Sequence, residues 1–219
     1  HAIDGDETAY CTRVIDEVLP AVVRRFGPIA CDAYCEKGAW SAAWTTRLFE
    51  RAKELGCPLR VHVDQFNELG FLDTALAMGA RSVDHLEATS RANLEKVARS
   101  SATAVLLPGC GLTLDGRFAN GRVLVDAGAS VAIATNCNPG SSPVTSMPLI
   151  IALAARHCGL THEEAIVAAT FNAAAVLGLE GEIGSLEVGK RAHVIELPTR
   201  DERALAYEWG TAAPIAVHA

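Results

Sequence analysis

Two histidines in this sequence stand inside apolar runs and are followed closely by further polar groups: Val61-His62-Val63-Asp64-Gln65 and Val83-Asp84-His85-Leu86-Glu87. A third apolar run, ending Ala134-Thr135, opens onto Asn136-Cys137-Asn138-Pro139-Gly140, where two amide side chains meet a turn. An imidazole binds zinc or iron, polarises a carbonyl, or moves a proton near neutral pH. One strand histidine alone is more often a hydrogen-bonded core group than a ligand. Two at equivalent ends of successive strands reverse that preference. His157 and His162 flank helix ends and His193 lies in the tail, so these three read as structural or solvated.

Whether such groups can meet depends on the elements that carry them. Apolar positions repeat at three and four from Thr8 to Phe26, which predicts a helix that Pro20 should kink or end. A strand is expected over Ile29–Glu36, then a helix from Ser41 to Leu55 stopped by Gly56. The alternation continues with strand Leu59–Gln65, helix Leu72–Met78, strand Ser82–Glu87 and helix Ser90–Arg99, which opens with an N-capping Ser. Strand Thr103–Leu107, a helix near Ala119–Ala127, strand Ser130–Thr135 and helix Val144–Cys158 complete the pattern. Strands separated by single helices imply βαβ units and a parallel sheet. Either a doubly wound sheet or part of a (β/α)8 barrel satisfies the periodicity. The first strand is not followed by Gly-x-Gly-x-x-Gly, which weakens the dinucleotide-binding version. In both architectures function collects at the C-terminal ends of the strands, where the three polar segments fall.

The tail reads differently. Thr161-His162-Glu163-Glu164 has the form of a capping box and opens a helix that Gly178 ends. Gly184–Leu197 alternates around Gly189 like a short hairpin, and a helix near Glu202–Trp209 precedes a strand at Pro214–Val217. The expected boundary lies near Glu180–Gly184, with residues 1–180 forming the barrel-like portion and 181–219 a small β domain.

Bulk properties narrow the function class. With 219 residues, half of them hydrophobic, and a formal charge of −7, the chain is an ordinary globular protein and a poor match for nucleic acid. It has no apolar run near the ~20 residues that cross a bilayer. Its first residues carry neither an initiator Met nor a signal core, and read as though the chain is entered partway through. Seven irregularly spaced cysteines fit reduced thiols of a cytoplasmic protein, with Cys31 and Cys35 on one strand face as packing groups.

At the three strand ends, and over nearly the whole chain, the sequence resembles imidazolonepropionases of the amidohydrolase superfamily. The most specific markers are Leu106-Leu107-Pro108-Gly109 and Asn136-Cys137-Asn138-Pro139-Gly140; Asn172-Ala173-Ala174 and Gly184–Ala192 are common to amidohydrolases at large. The resemblance implies the C-terminal portion of a (β/α)8 barrel with a small β appendage, one zinc or iron ion, a small-molecule substrate and a homodimer. It implies hydrolytic opening of the 4-imidazolone-5-propanoate ring. By motif match His62 would bind the metal, Gln65 would contact the water or the ring, and His85 would polarise the ring carbonyl. Asn136 falls where the family has a metal-binding, proton-accepting Asp. Asn138 and Gly140 would meet substrate on the following turn, and His1 matches a substrate-binding His. The family's His-x-His metal motif belongs to an earlier strand than any here. A second reading is a non-catalytic or altered-substrate relative on the same scaffold.

Overall fold

The computed structural model describes residues 5–209 and 215–218, which fall into two compact units divided between Ala102 and Thr103. The first unit opens with α1 (Glu7–Arg13), capped by the Asp6 carboxylate on the Thr8 and Ala9 amides. The chain continues through a π turn, Val14–Val18, into α2 (Leu19–Phe26). Pro20 therefore neither ends nor breaks the helical run. It sits in the first turn of α2, directly after the wide π turn, which is where a proline's lost hydrogen bond and ring are commonly absorbed within a helix.

Three parallel strands follow, β1 (Cys31–Cys35), β2 (Leu59–Val63) and β3 (Ser82–His85), paired in that order. Helix α3 (Ala42–Glu54) links the first two, and α4 (Phe71–Ala77) the next two; α5 (Arg91–Ala98) leads out of β3. Amphipathic spacing makes α3 a covering helix: Thr45, Leu48, Phe49 and Ala52 are buried. Phe49 packs edge-on against Phe71 of α4, with ring centroids 6.0 Å apart. Burying side chains of this size contributes roughly 1.5–3 kcal/mol each. Ser41 caps α3 through the Trp44 amide, as its position predicts. Ser90 does not cap α5 in that way: its hydroxyl donates to Glu68, whose carboxylate also accepts the Ser90 amide.

The second unit pairs β4 (Thr103–Leu106) with β5 (Val131–Ile133) in parallel. Between them lie α6 (Pro108–Thr113), which the sequence pattern does not anticipate, and α7 (Gly121–Asp126). Helix α8 (Met147–His157) follows β5, with Phe118 stacked on His157 at 4.4 Å. The predicted long helix after Thr161 is two: α9 (His162–Ala169) and α10 (Phe171–Leu177), broken at Thr170 and closed by left-handed Gly178. The expected hairpin around Gly189 does not form. Instead β6 (Val194–Glu196), followed by α11 (Ala204–Tyr207), pairs antiparallel with β7 (Ala216–His218). This succession of parallel strands and covering helices is that of a partial (β/α)8 barrel.

The capping box of α9 is complete, with Thr161 accepting the Glu164 amide and Glu164 accepting the Thr161 amide. Glu164 also receives two hydrogen bonds from Arg122. Thr161→Ala should cost about 1 kcal/mol in urea denaturation. The Arg122 hydrogen bonds, followed by the cap, hold the Glu164 carboxyl below its ordinary range. Its stabilising contribution is thus present at neutral pH and lost as pH falls through that lowered pKa. A Glu164→Gln penalty that stayed constant down to acid pH would contradict this.

Candidate functional site

Strand alternation and parallel register sort the first unit's side chains into two faces. Tyr34 is paired with His62 and His62 with Asp84; one step earlier, Asp32 is paired with Arg60 and Arg60 with Ser82. One face of the sheet is therefore polar, two residues per strand. The intervening Ala33, Val61 and Val83 are buried and apolar. Arg60 donates to Ser82 (3.1 Å) and to Asp84 (3.3 Å), and the Asp84 carboxyl is buried. Burial pushes the Asp84 pKa up, against opposing pulls from the Ser82 hydrogen bond and the charges of His62 and Arg60.

His62 Nδ1 lies 2.9–3.0 Å from the Asp32 carboxylate, which orients the ring. Burial pushes the His62 pKa down, but the Asp32 hydrogen bond and charge outweigh it and hold the group above 6.5. In an Asp32→Asn protein only the burial effect and weaker charges remain. The His62 ring, followed by proton NMR without added metal, should then titrate at a clearly lower pH. An unchanged midpoint would mean that Asp32 does not govern this imidazole.

His85 reaches the same place by a different route. Its register partner is Val63, so strand parity alone puts it on the opposite face from His62. Yet the two imidazole centroids are 5.3 Å apart. Left-handed backbone at His85 (φ 85°) and Leu86 (φ 70°) re-aims the side chain. The buried ring is held at Nδ1 by Glu87 at 3.2 Å. Asp64 (φ 56°) and Asn136 (φ 48°) are the other described non-glycine residues with positive φ, so all four lie at the three polar strand ends. Such conformations cost of order 1–3 kcal/mol each and gather at functional sites.

Tyr34 stands beside both imidazoles, its ring centroid 6.3 Å from His62 and 6.5 Å from His85, and donates its hydroxyl hydrogen to Gln65 Oε1 at 2.9 Å. Glu36, buried at the end of β1, accepts the Lys37, Phe66 and Asn67 amides and the Asn67 side chain, which fastens the segment after Gln65. Burial acts to raise the Glu36 pKa, but these four hydrogen bonds bring it below the usual carboxylate range. Asp64 is fully buried; burial pushes it up to about 6 despite a hydrogen bond from Thr89.

In the second unit, Asn136 follows β5 and donates its side-chain amide to Cys110 Sγ at 2.9 Å. The Asn138 side chain builds the next turn: Oδ1 accepts the Gly140 and Ser141 amides, while Nδ2 donates to the Asn136 carbonyl and the Ser141 hydroxyl. Gly109 of the Leu-Leu-Pro-Gly segment is tied to this turn, because a Cβ there would collide with Ser142 Oγ. His1 lies outside the described residues.

The sequence points to His62, His85, Gln65, Asn136, Asn138 and Gly140, and to Glu87 as part of a polar strand end, but not to Asp32, Tyr34, Glu36 or Cys110. For Asp32 and Tyr34 a cue existed: polar groups alternate with Ala33 and Cys35 in a strand that otherwise reads as interior. A catalytic zinc needs about three protein ligands. Although Asp64 Oδ1 and Asp84 Oδ1 are buried without a hydrogen-bond partner, no three His, Cys, Asp or Glu side chains among the described residues are placed to hold a metal ion. Among the described residues two imidazoles are oriented by carboxylates, His62 by Asp32 and His85 by Glu87; a closed metal cage is not formed.

Residues 35–212 match the model of the Amidohydrolase family. The chain is 39% identical over 222 residues to the imidazolonepropionase of Syntrophobacter fumaroxidans, covering 100% of this chain and 52% of that protein. It is 45% identical over 207 residues to the imidazolonepropionase of Deinococcus deserti, covering 94% and 51%. The chain thus spans about half the length of the curated relatives it matches. Among solved structures, an amidohydrolase from a Sargasso Sea environmental sample superposes with a TM-score of 0.72 at 16% identity, covering 96% of this chain and 52% of that one. An adenosine deaminase from Xanthomonas campestris with bound zinc superposes with a TM-score of 0.67 at 21% identity, covering 81% and 47%. At these identities the likeness shows a shared fold.

Proposed function

The chain belongs to the amidohydrolase family, and from that premise we propose that its protein opens the ring of 4-imidazolone-5-propanoate by hydrolysis, yielding N-formimino-L-glutamate in histidine breakdown. The observation that carries this reading is the similarity to imidazolonepropionases along nearly the entire chain. In the reaction water adds to the ring carbonyl carbon, the carbon–nitrogen bond breaks, and the ring nitrogen takes the proton.

His85 is assigned to the ring carbonyl. Glu87 occupies its Nδ1, leaving Nε2 as the ring atom free to act, and charge growing on the carbonyl oxygen would be stabilised there. Gln65 contacts the ring or the attacking water. Asn136 stands where a carboxylate would take the water proton, and its amide cannot. Asn138 and Gly140 would face substrate on the turn that they build, with His1 a further contact. One zinc or iron ion belongs to this proposal, with His62 and Asn136 as ligands and the rest supplied from outside the described residues. Residues 1–180 are proposed as barrel and 181–219 as a return to a small β-sandwich, in a cytoplasmic homodimer. No helix among the described residues is long and apolar enough to cross a membrane.

The test is direct. The purified full-length protein, incubated with 4-imidazolone-5-propanoate, should consume it and release N-formimino-L-glutamate, identified by mass spectrometry. Unchanged substrate with folded, metal-supplemented protein would overturn the assignment.

A further inference from the structure

Gln65 is only 6% exposed, and its side chain makes one hydrogen bond among the described residues, from the Tyr34 hydroxyl to Oε1. A primary amide has two ends, and a binding partner on one decides which end is offered elsewhere. With the carbonyl end occupied, the Nε2 end is left over. It is absent from the buried atoms that lack a partner, so it remains reachable from outside. An N–H donor reachable in this way is completed by water or by a ligand acceptor that takes the water's place.

We propose that Tyr34 is a positioning and specificity-determining residue: by holding the Gln65 carbonyl, it makes Gln65 a hydrogen-bond donor, directed at an acceptor on a five-membered ring. The class of ligand selected is a cyclic amide or amidine that turns a carbonyl oxygen or imine nitrogen toward this point. Tyr34 suits the task by position. It occupies β1, one strand from His62 and beside His85, so its ring is braced by the imidazoles that flank the site. The inference deepens the ring-opening reading and rests on it for the identity of the natural ligand.

The experiment compares full-length native protein with Tyr34→Phe, Gln65→Leu and the double variant. Two readouts are taken: kcat/KM for 4-imidazolone-5-propanoate, and equilibrium binding of hydantoin, a five-membered ring bearing carbonyl acceptors. Tyr34→Phe keeps the aromatic packing and should weaken both by about 3- to 10-fold. Gln65→Leu should weaken both at least as much, and adding Tyr34→Phe to it should change nothing further. Additive losses overturn the proposal. So does native hydantoin affinity in Tyr34→Phe, or in Gln65→Leu should Tyr34→Phe not fold, and so does native protein that ignores hydantoin. Non-additive hydantoin binding without turnover of 4-imidazolone-5-propanoate would support Tyr34's role while refuting the proposed substrate.

Discussion

His85→Asn should lower kcat/KM for ring opening by about 10²- to 10³-fold, the loss that follows removal of one group stabilising a developing oxyanion. The substitution is chosen for its backbone. His85 holds a left-handed φ of 85°, a region that Asn tolerates better than most residues, so the substitution adds no backbone strain. Its cost should fall mainly on kcat, because a group that matters as charge develops contributes little to holding the ground state. Steady-state kinetics and a thermal melt on the same sample check both halves. Near-native kcat with a native melting temperature would remove His85 from the chemistry and leave it a packing residue. Glu87 extends the prediction, since it grips His85 Nδ1 from a side chain 5% exposed. Glu87→Gln should retain the ring's placement but weaken its support for positive charge, giving a smaller loss of the same kind.

The opposite sign is expected at Asn136. Asn136→Asp should raise kcat/KM, by about 10²- to 10⁴-fold if proton transfer limits the native protein, because a carboxylate accepts a proton that an amide cannot. The local structure permits the change. Asp also tolerates the left-handed φ of 48°, and position 136 is only half-buried, so a charge there keeps some of its hydration. The substitution removes the hydrogen bond from the Asn136 amide to Cys110 Sγ, and the Cys110 thiol can turn its hydrogen from Ser141 Oγ, 3.7 Å away, to the new carboxylate. Activity gained in this way should fall as pH drops through the new carboxyl's pKa, a limb that native protein would lack. A variant no faster than native would mean that another group takes the proton.

The elements carrying these residues are legible in the sequence to differing degrees. Strands β1 to β5 and the major helices fall where period-two and period-three-to-four patterns put them, with ends shifted by a few residues. The misses share a cause. Helix α6 starts at Pro108-Gly109, directly after the strand end; Gly109 and Gly111 leave no room for a Cβ against Ser142 and Phe118, a crowding invisible to any local window. The alternation before Leu197 is real, but the partner of Val194–Glu196 is the strand at Ala216–His218, and alternation does not say which strand pairs with which.

At the candidate site the division is sharper. Local pattern is enough to put His62, His85 and Asn136 at strand ends, because apolar periodicity is local and a polar group interrupting it stands out. It could not place His85 beside His62, since strand parity argues the reverse; a positive φ decided that. Nor could it assign Asp32 to one imidazole, Glu87 to the other, or Tyr34 to Gln65. Two of these three pairs join residues about thirty positions apart, brought together by the β1–β2 register. Which end of Gln65 is offered to a ligand, and which nitrogen of each histidine is left free, follows from partners that only the folded chain supplies.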